Sequence, residues 1–416
     1  MMGDFAMTIQ EMGLRAQAAS RALMVSSGAV RNAALEAMAE ALAANEAKIL
    51  AANVLDLANA RDNNMSESLQ DRLRLTPERI AGMRQGILEI KGAADPIGVV
   101  LGGGVLQNGL RMEQVSVPLG VIGMIYEARP NVTADASALC LKSANALILR
   151  GGKEAIHSNT AVAWALRDAI ASVGLPADCV QLVEDTSRES ATALMRANGL
   201  VDVLIPRGGA GLIKAVVENA TVPVIETGAG VCHTYVDARA EIAMALDIVE
   251  NAKVSRPSVC NALETLLVHA DIAAEFLPKL AERLAGVELR CDETALRIIG
   301  GTPAAEEDWA AEYGELILAV KVVQGLDEAL EHISRYSTKH SECIVTNDYA
   351  AAQRFLNEVD AAAVYVNAST RFTDGGVFGL GAEIGIATQK LHARGPLGLR
   401  HLTSGKYLIY GSGQIR

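Results

Sequence analysis

The chain is short of positive charge: 37 Lys and Arg stand against 49 Asp and Glu, for a net charge of −12. Binding along a nucleic-acid backbone needs a basic surface, so nucleic acid is not an expected partner. A small anionic ligand needs only a local cluster of cations and stays open. Aromatics are also scarce, 4% of residues, which leaves the cores to Ala, Val, Leu and Ile. No charge-free apolar run reaches the roughly 18 residues of a membrane span. Met1 to Met12 contains Asp4, Gln10 and Glu11 and lacks a basic start followed by an apolar run, so it does not read as a signal peptide. The six cysteines, Cys140, Cys179, Cys232, Cys260, Cys291 and Cys343, include no Cys-x-x-Cys pair. That spacing fits neither zinc nor a disulfide framework, and the expectation is reduced thiols in the cytoplasm. The seven histidines are dispersed, and no metal site is expected.

What is present is length and apolar mass: 416 residues, 50% of them hydrophobic, enough for two or three domains. Residues 5–92 read as helical, with Ala-rich stretches at helical spacing and a single interrupting proline, Pro77. Thr76-Pro77-Glu78 supplies a cap, a proline at the first helical position and an acid in the first turn. The pattern then changes. Ile97–Leu106 and Leu110–Val117 read as strands joined by the hairpin turn Gln107-Asn108-Gly109. From Gly120 strands and helices alternate, ending in a strand over Pro223–Glu226. A second such series is expected from about 235 to 390. Alternation of this kind indicates right-handed crossovers and parallel sheets. Near the end, Lys406–Tyr410 reads as a lone strand that needs an edge to pair with. The 97–117 hairpin of a neighbouring subunit is one candidate; an edge in its own chain is the other.

Cys260 lies in Arg256-Pro-Ser-Val-Cys-Asn-Ala262, 34 residues after Glu226 in Glu226-Thr-Gly-Ala-Gly230. A thiol in a proline-containing turn before an apolar strand (Leu263–Val268) is placed to face a cleft. Glycines beside a lone carboxylate let backbone and acid approach one ligand. Together they point to covalent thiol chemistry on a carbonyl beside a bound nucleotide. Cys140, Cys179 and Cys343 read as small buried hydrophobes. Cys232 adjoins His233, but neighbours on a strand face opposite ways, which argues against a thiol–imidazole pair.

Several strings together resemble the aldehyde dehydrogenase superfamily: Tyr126-Glu-Ala-Arg-Pro-Asn-Val132, Leu149-Arg-Gly-Gly-Lys-Glu154, Ile225-Glu-Thr-Gly228, Cys260-Asn-Ala-Leu-Glu-Thr265 and Asn367-Ala-Ser-Thr-Arg-Phe-Thr-Asp-Gly-Gly376. Phe378-Gly-Leu-Gly-Ala-Glu-Ile384 and Leu391-His-Ala-Arg-Gly-Pro396 add to them. The match runs in order over about 95–400. It implies an α/β fold with two Rossmann-like parallel-sheet domains and a small β oligomerisation element. Residues 1–96 and 118–230 would bind NADP, 231–390 would carry the nucleophile, and 97–117 with 397–416 would form the oligomerisation strands. Within the superfamily the resemblance is to the branch that reduces L-glutamyl 5-phosphate with NADPH, giving L-glutamate 5-semialdehyde and phosphate in proline synthesis. A hydrolytic or CoA-acylating member is the alternative. An idle nucleotide-binding scaffold is a third reading, opposed by the presence of Cys260, Glu226 and Glu312.

The resemblance makes Cys260 the nucleophile, because a thioester accepts hydride where a carboxylate does not. Glu226 matches the acid that activates the deacylating water in hydrolytic relatives. Phosphate replaces that water here, so Glu226 is expected near the nicotinamide but less essential. Those relatives carry an oxyanion-binding Asn where this chain has Arg129, with Asn131 two residues on, so the oxyanion pocket is not assigned by the match. The Cys260 N–H remains a donor for it. Arg129, Arg256, Arg371 and Arg394 are candidates for the anionic groups of the substrate. Arg150 and Lys153 stand where many NAD users have a cation and then an acid; two cations favour the 2′-phosphate of NADP. Gly208 and Gly209, in Arg207-Gly-Gly-Ala-Gly211, would offer N–H groups to the pyrophosphate, and Glu312 matches the acid that holds the nicotinamide ribose. A homo-oligomer is expected. A complex with glutamate 5-kinase, which makes the labile substrate, is plausible but carries no motif.

Overall fold

The computed structural model describes residues 7–416. The first two residues of the expected helical stretch, residues 5 and 6, lie outside them, as does the first half of the segment read for a signal peptide. The chain divides into two compact units, one of Met1–Thr227, Gly379–Gly385 and Leu397–Arg416, the other of Gly228–Phe378 and Ile386–Pro396.

The first unit opens with five helices, α1 (Ile9–Met24), α2 (Gly28–Ala44), α3 (Glu46–Asp62), α4 (Glu67–Leu73) and α5 (Pro77–Gly92). Their starts are set by side chains. Thr8 and Glu11 form a reciprocal capping box on α1, and Thr76 caps α5 ahead of Pro77. Then come the exposed hairpin β1 (Val100–Val105) and β2 (Arg111–Pro118), and the buried strand β3 (Val121–Tyr126). After it alternate α6 (Pro130–Lys142), β4 (Ala146–Gly151), α7 (Ile156–Ser172), β5 (Val180–Leu182), α8 (Arg188–Met195), β6 (Val203–Arg207) and α9 (Ala210–Asn219). The four strands pair in parallel in the order β5-β4-β3-β6. Strands are added from β3 outward to β4 and β5 and then, with β6, on the other side of β3, so the crevice outside the carboxyl ends of β3 and β6 is the switch point where such sheets take ligands.

The expected strand over Pro223–Glu226 is reduced to one bridge, Leu204 to Val224. Leu204 N–H reaches Pro223 O at 2.8 Å and Ile225 N–H reaches Leu204 O at 2.9 Å, but Pro206, two residues on in β6, has no N–H for Ile225 O and the ladder stops there.

The second unit holds β7 (Cys232–Val236), α10 (Ile242–Val254), β8 (Leu263–His269), α11 (Ala270–Arg283), β9 (Glu288–Cys291), α12 (Glu293–Ile299), β10 (Thr302–Pro303), β11 (Ile317–Val323), α13 (Leu326–Tyr336), β12 (Ser341–Val345), α14 (Tyr349–Glu358) and β13 (Ala363–Val366), with a short pair β14 (Ile386–Ala387) and β15 (Gly395–Pro396). Seven strands form one parallel sheet, β10-β9-β11-β8-β7-β12-β13. The series begins at Cys232, three residues earlier than expected, and β9 and β10 extend it beyond the strands read from sequence. Its larger core cluster has Phe276 and the flanking Tyr365 as its aromatic members, in line with the scarcity of aromatics.

The last strand, β16 (Thr403–Tyr410), pairs antiparallel with β2 of its own chain over eight residues, Thr403 with Pro118 through Tyr410 with Arg111. The alternative of a neighbour's hairpin as its partner is thereby corrected. The hairpin leaves one edge of β2 open and an antiparallel return fills it.

Candidate active site

In the second unit, α10 ends and the chain turns through Ser255–Ala262 before entering β8. Ala262 N–H donates to Val259 O at 3.0 Å, closing a tight turn that leaves Cys260 half-exposed while the other five cysteines are buried and none of the six is in a disulfide. Burial pushes the thiols of Cys140, Cys179, Cys232, Cys291 and Cys343 up, so these stay protonated and unreactive at neutral pH. Against the Cys260 peptide lies the backbone of Gly230. A Cβ at that position would fall 1.5 Å from Cys260 O and 2.7 Å from its Cα, so no side chain fits. The N–H of Gly230 donates to Glu312 Oε1 at 3.1 Å. The nucleophile candidate, the glycine loop and Glu312 therefore form one cluster at the amino end of β8.

The cluster is held from beneath by a buried pair. Lys253 Nζ on α10 reaches Glu264 Oε2 on β8 at 2.6 Å, and Glu264 Oε1 accepts Gly314 N–H at 3.2 Å, two residues past Glu312. Burial pushes the Glu264 carboxyl up and the Lys253 ammonium down. From the side comes Arg371. Its Nη1 donates to Asn261 Oδ1 and its Nε to Ser255 Oγ at 3.1 Å, while Asn261 Nδ2 returns bonds to Arg371 O and Thr373 O. Burial lowers the Arg371 guanidinium, and the charge of exposed Arg256 lowers it further. Arg256 and Arg371 thus share one cationic patch beside Cys260. Arg394 is engaged elsewhere: it pairs at 2.8 Å with Asp360, which also holds Lys390 and Lys339.

Cys232 and His233 do face opposite ways. His233 Nδ1 meets Glu342 Oε2 at 3.1 Å, whereas Cys232 Sγ donates to Cys260 O at 3.2 Å. The imidazole near Cys232 is that of His340, with Nδ1 at 3.8 Å, 108 residues away and so invisible as a dipeptide.

In the first unit, Arg129 is half-buried at the N-terminus of α6. With Asn131, Asp135, Arg207 and Glu383 it lines a cavity of about 60 Å³. Asp135, Arg207 and Glu383 were not singled out from the sequence. Asp135 carried a usable signal, since it lies one helical turn beyond Asn131 and their side chains bond at 3.0 Å. Glu226 is half-buried at the end of the segment that bridges to β6, beside Thr227, whose hydroxyl donates to Pro206 O at 2.6 Å. Gly208 and Gly209 form the turn between β6 and α9. A Cβ on Gly208 would lie 2.5 Å from Glu127 Oε2, and Gly209 N–H donates to that oxygen at 3.0 Å. A carboxylate thus already sits at this helix start, the place an anion prefers. At the carboxyl end of β4, Arg150 donates to Thr186 O and Ser187 O, each at 2.8 Å, and Lys153 is exposed.

Among the described residues no group of three or more His, Cys, Asp or Glu is placed to hold a metal, and no helix is long and apolar enough to cross a membrane.

Comparison with known proteins matches residues 6–307 to the aldehyde dehydrogenase family. A gamma-glutamyl phosphate reductase of Clostridium novyi is 58% identical over 96% of this chain and 97% of its own length. That of Caldanaerobacter subterraneus is 56% identical over 99% and 100%. The crystal structure of gamma-glutamyl phosphate reductase from Thermotoga maritima superposes with a TM-score of 0.95 at 47% identity, covering 98% of this chain and 99% of that one.

Proposed function

We propose a covalent mechanism from one premise: this chain belongs to the aldehyde dehydrogenase family, among its gamma-glutamyl phosphate reductases. It is an oxidoreductase of proline biosynthesis that reduces L-glutamyl 5-phosphate to L-glutamate 5-semialdehyde and phosphate with a nicotinamide cofactor.

The observation that carries the mechanism is Cys260, the half-exposed thiol among six, fixed by the close approach of Gly230. Its sulfur attacks the acyl carbon, the bond to the phosphate oxygen breaks, and a thioester remains. The nicotinamide, when bound, supplies hydride to that thioester carbonyl. Cys260 N–H is the donor this chain offers to the oxygen as charge develops there. Collapse of the resulting thiohemiacetal on Cys260 returns the thiol and releases the aldehyde. Within the second unit Arg371 and Arg256 are the candidates for an anionic group of the substrate beside the nucleophile, within the first unit Arg129 and Asn131 are the others, and Glu226 has no chemical step of its own.

The turn at Gly208–Gly209 fits a dinucleotide, since two glycines precede α9 and its N-cap, Gly209, has no side chain to cap the first N–H groups. Binding the pyrophosphate there requires Glu127 to swing aside. Glu312, which accepts Gly230 N–H, is the candidate for the ribose of the nicotinamide by the family resemblance. Arg150 and Lys153 favour NADP over NAD, because two cations attract a 2′-phosphate. Cysteines in no disulfide fit a reducing cytoplasm. The three-stranded sheet with its exposed strand β1 is where a second copy pairs, and a complex with glutamate 5-kinase would spare the acyl phosphate from water.

The test is aldehyde oxidation by purified protein with glutamate semialdehyde, NADP and phosphate, read by absorbance of the reduced nicotinamide. Turnover should require phosphate and should not be restored by CoA. Turnover without phosphate would make the enzyme hydrolytic and overturn the reading.

A further inference from the structure

The residue after Cys260 clasps the segment that carries Arg371, and both belong to the second unit. Asn261 is buried, and its polar groups all turn to residues 370–373. Thr370 Oγ1 donates to Asn261 O at 2.7 Å, and Asn261 Nδ2 donates to Thr373 O at 3.0 Å and to Arg371 O at 3.2 Å. The remaining atom, Asn261 Oδ1, accepts Arg371 Nη1. On its other side Arg371 Nε donates to Ser255 Oγ at 3.1 Å, and that hydroxyl donates in turn to Asn251 O of α10 at 2.6 Å. The guanidinium is therefore oriented by an amide and a hydroxyl, both neutral, and neither bond cancels its charge. It has more N–H donors than these two bonds use. Exposed Arg256 adds a second positive charge to the patch, and its repulsion together with burial lowers the Arg371 guanidinium. An anion with two negative charges relieves that repulsion.

The substrate's covalent structure says which anion that is. In an acyl phosphate the bridging phosphate oxygen is bonded to the same carbon that sulfur attacks, whereas the α-carboxylate lies at the opposite end of the glutamyl chain. A cationic patch beside the sulfur therefore meets the phosphoryl oxygens, which a guanidinium fork suits. Resting on the reading that Cys260 is the nucleophile and glutamyl phosphate the substrate, we infer that Asn261 is a positioning residue for phosphate: its amide aims Arg371 at the phosphoryl group and ties that guanidinium to the turn bearing the thiol. In the oxidising direction the same place holds inorganic phosphate. There a phosphate oxygen bonds to the thioester carbon as the carbon–sulfur bond breaks, and the thiolate returns. The clasp keeps the attacking anion and the departing sulfur in one fixed relation.

The experiment measures separate KM values for phosphate and for glutamate semialdehyde, in the oxidising direction, for wild type and for Asn261→Ala. In the variant the KM for phosphate should rise about tenfold or more, the worth of a hydrogen bond to a charged group, and the KM for the aldehyde should rise much less. A rise confined to the aldehyde would give Arg371 the α-carboxylate instead. Equal rises in both, or a loss in kcat alone, would make Asn261 a support of the turn and nothing more. Each of these results, like two unchanged constants, overturns the inference. Should Asn261→Ala not fold, Ser255→Ala decides, because it removes the Nε bond at an exposed position. It should raise the phosphate KM selectively, by a smaller factor, and an unchanged phosphate KM there would refute the clasp. Failure of the covalent mechanism is read separately, as wild type that turns over without phosphate.

Discussion

Among the cysteines, reactivity is decided by exposure. Iodoacetamide should modify Cys260 first and the five buried thiols only on unfolding, with peptide mapping as the readout and substrate as protectant. Early labelling of Cys232 or Cys343 would contradict it. Glu226→Gln should lose less than about tenfold in rate, because phosphate takes the acyl group and no water needs activating, whereas Cys260→Ala should lose all turnover. Comparable losses would give the carboxylate a chemical step after all. Cys260, Glu226 and Glu312 were open to proposal from sequence because each lies in a contiguous string with its own neighbours. Arg207 and Glu383 were not, because their cavity is assembled from segments separated by some two hundred and fifty positions, and Asp135 offered only its spacing of one helical turn from Asn131. The same holds for His340 beside Cys232.

Between elements, the buried Lys253–Glu264 pair ties α10 and β8 to the loop that carries Glu312. Lys253→Met leaves an uncompensated carboxyl group and should destabilise the fold by about 3–5 kcal/mol, while the double change Lys253→Met with Glu264→Leu should recover much of that. Chemical denaturation measures both, and an additive double variant would show that the two residues do not act as a pair. Helix α13 carries a second buried group. The ring of His332 packs against Trp309, His233 and Tyr336, neither ring nitrogen has a hydrogen-bond partner, and burial lowers its pKa far below 6.5. The unfolded chain takes up that proton first, so this contribution to stability is complete above about pH 6.5 and declines by up to about 1.4 kcal/mol per unit below it. His332→Phe should therefore flatten the fall in Tm between pH 7 and pH 5. A parallel fall in both proteins would exclude His332 as its source. Elements were legible where helical periodicity ran long, as in α1 to α3 and α5, or where an apolar run was unbroken, as in β3. Strands β9 and β10 escaped because they have four and two residues and the first is interleaved with charge. Pro223–Glu226 read as a strand from its apolar residues, but a missing donor limited it to one bridge.

For the whole molecule, strand order explains how two cofactor-sized sheets arise from one chain, each from its own run of alternating elements. The terminal strand was legible as a strand but not in its pairing, since an edge within the chain and one outside it look alike in sequence. With β16 seated on β2, the sheet presents β1 outward, and Val100, Leu101 and Val105 are 63%, 55% and 72% exposed. Such an apolar edge invites another chain. Leu101→Lys combined with Val105→Lys should lower the mass seen by light scattering while leaving the circular dichroism spectrum intact; an unchanged mass would move the subunit contact elsewhere.

All of this turns on the acyl group resting on one sulfur atom. The direct measurement is mass spectrometry of protein mixed with glutamate semialdehyde and NADP but no phosphate, quenched in acid and digested. The account predicts a glutamyl adduct on the peptide containing Cys260, discharged when phosphate is added before the quench. Reduced nicotinamide formed with no adduct on that peptide, or with an adduct on another residue, would contradict it.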